Sequence, residues 1–568
     1  MHLAAEDPIT AEPRPEGLAA LVPLIDAARA DALGDVVLLD NGDGAQGTPM
    51  AEWHARCGAE TLNPLRAALA QLDCAVTTLG NHEFDFGLDY LAKVLAEPGP
   101  AVVCCNLYWP DHPVSEGVVL DVGRLKMGVT GVVPPRIHVW HRRLLEGVVR
   151  AGDPVQSVAK AATLLRERGA DLVVCLCHGG IVPEGHLEEA RDNPARAIAA
   201  SGAVDALITG HQHLQFPDPA FPYQAEDIDH LAGALHGIPT VMPPALGRGI
   251  GLLDLCIARS DEGVWTVTEH HAELRNATEM PTAGILDDII GPARRSTARR
   301  LDMPLSHTSV PLWTAHATLE DMPAMRLIQQ AQLWYMARNL PSNVPHLAAA
   351  SPFRVGGHNG PEAYTRISAG PLTRRSVADL YPYENPFVAL RVTGRTIRDW
   401  LEMSAGLHAH LEQPDTALHR DGAAAFNFDM IAPLAYRIDL SYPPAFDEHG
   451  QPTGAPGRVS EIVRNGVVLR DDTAFWVGTN TYRAGGGGSF PGLAEAECSD
   501  EGPPVAQLIC AFLEAHPTGV DLGDPAWALT AEPGATALFD TDPLAPPPRQ
   551  PAERLQVVQG FQRWRLRF

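Results

Sequence analysis

Residues 80–87 read GNHEFDFG, directly behind the apolar run CAVTTL (74–79). That run has the length and β-branched content of a buried strand. The motif that ends it sets an amide, an imidazole and two carboxylates between glycines. Taken alone, His82 is an ordinary loop histidine and Asp85 an ordinary turn-former. The pattern, however, recurs. DVVLLD (35–40) runs into NGDGAQG with Asp43, LVVCLC (172–177) into HGG with His178, and ALIT (206–209) into GHQH with His211 and His213. AVVCCN (101–106), KMGVTGVV (126–133) and GIPTVMPP (237–244) are further strand-like runs, and helical patterns lie at 153–168 and 186–200. The alternation predicts an α/β layered domain over residues 1–280. Polar residues at the C-terminal ends of its strands mark the place where such sheets carry chemistry.

One carboxylate (Asp43), one amide (Asn81) and three imidazoles (His178, His211, His213) form a hard-to-borderline donor set. It suits divalent Mn, Co, Mg, Zn or Fe and not a thiolate site. A lone histidine on a strand is more often a core residue than a ligand. Four such motifs in order, each after a strand and each flanked by glycine, predict a metal centre.

The rest of the chain bounds the reading. At 568 residues it is too long for one ordinary core, so at least two domains are expected. Lys and Arg number 43 against 69 Asp and Glu, a net charge of −26. Such a chain is a poor binder of nucleic-acid polymers, and an anionic substrate needs cations or a local arginine to offset the field. The nine cysteines include the pairs 104/105 and 175/177 inside apolar runs, which read as free thiols in a reducing compartment. No apolar run reaches a membrane span, and no charged-then-apolar leader is visible at the start. As written, the chain is expected in the cytoplasm and away from membranes. Oligomeric state is left open.

Residues 281–300 read as a connecting helix and 301–568 as a second domain, opening with a helical segment at 320–340. SPFRVGGHNGPEAYT (351–365), VADLYPYENPFVALRVTG (377–394), FNFDM (426–430) and GTNTYRAGGGGSFPG (478–492) stand out there. The Pro-rich stretch 539–552 reads as an extended surface segment.

Together GDGAQG, GNHEFD, CHGG and GHQH resemble the calcineurin-like metallophosphoesterases. The fuller forms, with the C-terminal motifs, resemble the 5′-nucleotidase family, closest to the bacterial 2′,3′-cyclic-nucleotide 2′-phosphodiesterase/3′-nucleotidases. The resemblance covers nearly the whole chain. It implies an N-terminal four-layer α/β/β/α metallophosphoesterase sandwich and a C-terminal 5′-nucleotidase-type α/β substrate-binding domain. It implies two divalent metal ions sharing Asp43, with Asn81, His178 and His211 completing one site and His213 serving the other. His82 and Asp85 resemble the family's catalytic dyad. Tyr383 and Tyr482 fall where the family places two rings around the base, a stacking that tolerates different bases. Arg354, Asn359, Asn385 and Asn427 are candidates for base or ribose contacts, while His358 stands where the subgroup usually has a basic residue. The partner is thus a small-molecule nucleotide, brought to the metals by rotation of the C-terminal domain. The implied reaction is metal-dependent hydrolysis of 2′,3′-cyclic and 3′-nucleotide phosphoesters. A 5′-nucleotidase or UDP-sugar-type hydrolase is the alternative, and a nucleotide-binding or one-metal protein with little activity the second.

The family's first motif, a strand ending Asp-x-His, supplies two further metal ligands. No Asp-x-His precedes Asp43. The opening MHLAAEDPITAEPRPEGLA (1–19) resembles the loop that follows that motif, with His2 near the site but not replacing a ligand. The expectation is a start cut just behind the motif, with one metal site crippled. A periplasmic location stays open if the chain continues upstream.

Overall fold

The computed structural model describes all residues except 1, 59, 60, 111, 113, 184, 186, 262, 280–283, 358, 359 and 384, and the side chains of 143 and 187–189. His358 and Asn359 therefore lie outside the described residues. The chain divides into two compact units, Met1–Arg299 and Arg300–Phe568.

Within the first unit two sheets face each other. Leu38–Asp40, Cys74–Thr78 and Ala101–Val103 form a parallel three-stranded sheet. The second sheet is seven-stranded, with Leu125–Val132, Leu172–Cys177, Ala206–Thr209 and Ile238–Val241 parallel at its centre. Val76, Val103, Val129 and Leu176 fill the space between the sheets. The helix Pro154–Glu167, capped by Asp153, and its neighbour Ala195–Ala200 cover the outer face of the larger sheet. Leu18–Asp31, Pro49–Cys57, Pro64–Gln71 and Asp287–Leu301 pack around Leu21, Met50, Leu72 and Ile290 on the other side. Helix, sheet, sheet and helix make four layers, the arrangement the resemblance implied.

Two sequence expectations are corrected here. The helix expected over 186–200 is two helices, Leu187–Asp192 and Ala195–Ala200. Pro194 has no N–H to donate and pushes Asn193 out of helical geometry. The strand expected over 35–40 is only Leu38–Asp40, an edge strand paired on one side, so Asp35–Val37 have no ladder partner.

The second unit is built on a five-stranded sheet in which His346–Ala350, Ala474–Asn480 and Phe387–Thr393 are central. Helices Pro323–Asn339 and Gly394–Ala405 and the apolar helix Val505–Glu514 bury its core around Trp400, Phe387 and Ile509. Two four-stranded sheets and two two-stranded ones complete the unit. The stretch 539–552 is not simply surface. It begins inside the strand Thr536–Thr541, and Asp542 is fully buried in a pair with Arg366 (Oδ2–Nε 2.5 Å). Among the described residues no helix is long and apolar enough to cross a membrane.

Candidate metal centre and substrate cleft

Four strand ends converge in the first unit. The turn after Leu38–Asp40 is held by Asp40, whose Oδ2 accepts from Thr77 Oγ1 (2.5 Å) and the Gly42 amide (3.3 Å). Asp43 follows in the left-handed region at φ 61°, as do His211 (φ 69°) and His213 (φ 56°). Non-glycine residues pay strain there, and such strain collects where surrounding structure imposes a working geometry. Gly80 is required by the close approach: a Cβ would stand 2.1 Å from Asp43 Oδ1 and 2.7 Å from His178 Cε1.

Ligand-type atoms of Asp43, His178 and His211 lie within 4.8 Å of one another, the one such cluster among the described residues. His178 Nδ1 donates to the Asn41 carbonyl (2.6 Å), which leaves Nε2 aimed at Asp43 Oδ2, 2.9 Å away. This outer hydrogen bond sets the tautomer, as it does behind metal-bound histidines. Burial works against a charge on His178, but Asp43 outweighs it and raises the imidazole above its usual value. Asp43 is held far below the carboxylate range, His178 and His82 overriding the effect of burial. Burial, aided by His178, pushes His211 down to about 3. Asn81 Oδ1 is buried and lacks a hydrogen-bond partner, while His178 Nε2 faces the Asp43 carboxylate. Buried acceptors are normally satisfied, so an orphaned amide oxygen next to these residues fits a cation. His213 is exposed, outside the cluster of three. Burial and neighbouring Arg248 hold the His2 imidazole down to about 3, within electrostatic reach of His213.

His82 opens a single 3-10 turn, His82–Phe84, which carries Asp85 back beside it. Its amide donates to Asp43 Oδ1 (2.9 Å), and its Nδ1 lies 2.8 Å from Asp85 Oδ2. Burial disfavours the imidazolium, yet Asp85 and Asp43 raise it to about 9.

Two neighbours escaped the sequence reading. Glu83 accepts from the amides of Asp43 (2.8 Å), Ala45 (3.0 Å) and Gly80 (2.6 Å), tying two strand-end loops together. It lies inside the motif, where its place between His82 and Phe84 gives no sign of the amides it holds. His141 Nε2 donates to the Asn81 carbonyl (3.0 Å) and stands 3.4 Å from Asp85 Oδ1. Nothing in its segment, HVWHRR (138–143), marks it, because the contact spans 60 residues.

In the second unit the strand Ala474–Asn480 passes into one helical turn, Thr481–Ala484, before the four glycines. Asn480 caps the turn by accepting from the Arg483 amide (3.0 Å). Arg483 is buried and grips Asp429 with two bonds (Nε–Oδ2 2.8 Å, Nη2–Oδ1 3.1 Å). It also donates to Asn427 Oδ1 (3.1 Å) and the Gly487 carbonyl (2.5 Å). FNFDM and NTYRAGGGG thus form one structure, joined by two residues the sequence reading did not single out. A cleft of about 380 Å³, counted out to open solvent, lies beside it. Tyr482 and Asn385 line it. Tyr383 stands outside, 40% exposed and edge-on to the lining residue Phe353 (5.0 Å). Arg354 is paired with Asp379 (3.2 Å) and Asn427 with Arg483, so both are committed within the protein.

Residues 1–215 match the calcineurin-like phosphoesterase family and residues 305–495 the 5′-nucleotidase C-terminal domain. The chain belongs to this family of two-domain phosphoester hydrolases, whose calcineurin-like half is metal-dependent. It is 32% identical to a 2′,3′-cyclic-nucleotide 2′-phosphodiesterase/3′-nucleotidase of Salmonella typhimurium, over 93% of this chain and 87% of that protein. It is 29% identical to the trifunctional nucleotide phosphoesterase protein YfkN of Bacillus subtilis over 97% of its length, but spans only 40% of that relative. Among solved structures, a putative 5′-nucleotidase from Staphylococcus aureus shares the fold with a TM-score of 0.74 at 22% identity, covering 93% of this chain and 98% of that one.

Proposed function

We infer that the protein hydrolyses 2′,3′-cyclic nucleotides and 3′-nucleotides with divalent metal ions. The observation that carries this reading is the convergence of Asp43, His178 and His211, with the buried Asn81 Oδ1 left without a hydrogen-bond partner. Asp43, Asn81, His178 and His211 would hold one ion, and His213 with Asp43 would contribute to a second. Bound there, the cations would neutralise phosphate oxygens and acidify an attacking water.

The chain's own residues do the rest. Asp85 and Asp43 favour the protonated form of His82 against burial, and Asp85 occupies its Nδ1. Nε2–H is therefore the atom left to donate to a phosphate oxygen or to the departing ribose alkoxide. His141 holds the Asn81 backbone and faces Asp85, so one ring steadies both the ligand amide and the dyad. In the second unit Tyr482, with Tyr383 at the rim, offers π-faces to a base. Asn385 offers a polar contact, and Arg354 and Asn427 act through the scaffold unless they release their partners. Asn359 is proposed as a contact on resemblance alone.

The test is turnover of 2′,3′-cyclic AMP, 3′-AMP and 5′-AMP by the full chain with Mn, Co or Mg, alongside metal content per chain. Hydrolysis of the first two above the third supports the reading. A preference for 5′-AMP shifts it to a 5′-nucleotidase, and no turnover with any metal refutes it. The metal content decides between one ion and two.

A further inference from the structure

The polar groups around the C-terminal cleft are almost all in use. Asp429 is taken by Arg483 and by Trp400 Nε1 (2.7 Å). Asn480 spends its oxygen on the Arg483 amide and its nitrogen on the Tyr381 hydroxyl (3.1 Å). Gln332 is different. It sits on the helix Pro323–Asn339, one turn after Gln329. Gln329 is satisfied, donating to the Met430 carbonyl (2.8 Å). Gln332 is only 2% exposed and lines the cleft, and its Oε1 is buried with no hydrogen-bond partner.

A buried acceptor left unmade is unfavourable, and a donor brought by a ligand recovers the loss. The walls say what kind of ligand. Phe353, Tyr381, Phe426 and Tyr482 surround the space with aromatic faces and edges, which suit a flat ring. A carboxamide on the wall of a cleft lined by aromatic residues is a group that can pair with an adenine edge, accepting from the 6-amino group while donating to a ring nitrogen. We propose that Gln332 reads the base in this cleft by accepting a hydrogen bond from the exocyclic amino group of adenine. This rests on the nucleoside reading of the cleft and adds a preference that stacking alone does not create.

Titration calorimetry of the full chain with adenosine, and with purine riboside, which lacks only the 6-amino group, tests it. Neither nucleoside carries a phosphate, so binding is read without turnover. The wild type is expected to bind adenosine about tenfold more tightly. Gln332→Met, close to glutamine in volume, is expected to bind the two with equal affinity, no tighter than the wild type binds purine riboside. Gln332→Leu gives the same comparison if the first variant misfolds, as judged by circular dichroism. A preference that survives in the variants overturns the proposal and assigns the orphaned oxygen to an enclosed water. Equal wild-type affinity for both nucleosides overturns it while the nucleoside reading stands. Binding of neither overturns both.

Discussion

His82 keeps its proton against burial because two carboxylates surround it. Asp85 sits on Nδ1, and Asp43 accepts from the His82 amide. Its value is raised to about 9, so the proton is held below that pH and lost above it. Hydrolysis should therefore fall on the alkaline side of its pH profile, and His82→Ala should abolish that limb. The same variant should lower kcat by ~10²–10⁴-fold while metal content stays unchanged. A pH–rate profile with metal analysis checks both. Glu83 acts one step further out, since its carboxylate holds the amides on either side of the metal ligands. Glu83→Gln keeps the size and removes the charge. It should weaken Mn binding by about 10–100-fold in calorimetry, the usual effect of removing an outer partner of a metal site. Unchanged affinity would mean the loops hold Asp43 without it.

At the scale of elements, one buried ion pair ties the two motifs beside the C-terminal cleft together. The turn Thr481–Ala484 and the segment Phe426–Met430 meet through Arg483 and Asp429, both under 5% exposed. Removing one partner strands the other charge without water. Asp429→Ala should cost about 3–5 kcal/mol in urea unfolding. It should also loosen the glycine loop, which hydrogen exchange at Gly485–Gly488 would read. The helix end at His408 sets a different sensitivity. Its fully buried ring donates from Nε2 to the Thr318 carbonyl (2.7 Å). Burial, then His419, pushes its value down to about 3. The folded state thus refuses a proton that the unfolded chain accepts near its ordinary value. Stability should fall as pH drops below about 6.5, by ~1.4 kcal/mol per pH unit from this residue. Denaturant midpoints between pH 7 and 5 should show that slope, and His408→Gln should reduce it.

For the whole molecule, the metal links chemistry to stability. A net charge of −26 opposes an anionic substrate, so cations at Asp43, His178 and His211 would serve both to neutralise phosphate and to hold three strand-end loops together. A ligand that binds only the folded chain at a hundredfold its dissociation constant adds ~2.7 kcal/mol. Saturating Mn should raise the melting temperature, EDTA should reverse the shift, and His178→Ala should remove most of it. A melting temperature indifferent to Mn would contradict the proposed metal site.

The layered fold and the metal-type residues were readable in one dimension because each motif is local. A β-branched run, a glycine and a polar ligand share half a dozen consecutive residues, as in GNHEFDFG and LVVCLCHGG. The local signals failed where a neighbour far along the chain decides. The break at Pro194 in the helix expected over 186–200 is a separate case, since proline is itself a local signal. The buried pairing of Asp542 with Arg366, 176 residues away, left no mark at all. The sequence by itself determined which groups are available for chemistry and that they end strands. Which of them meet is settled in three dimensions: His141 backs Asn81 and faces Asp85, Arg483 is spent on Asp429, and Gln332 keeps a buried oxygen unspent at the C-terminal cleft. Composition and spacing state what a residue can do. Hydrogen bonds and desolvation act over about 3 Å, and the folded chain chooses which residues come within that distance.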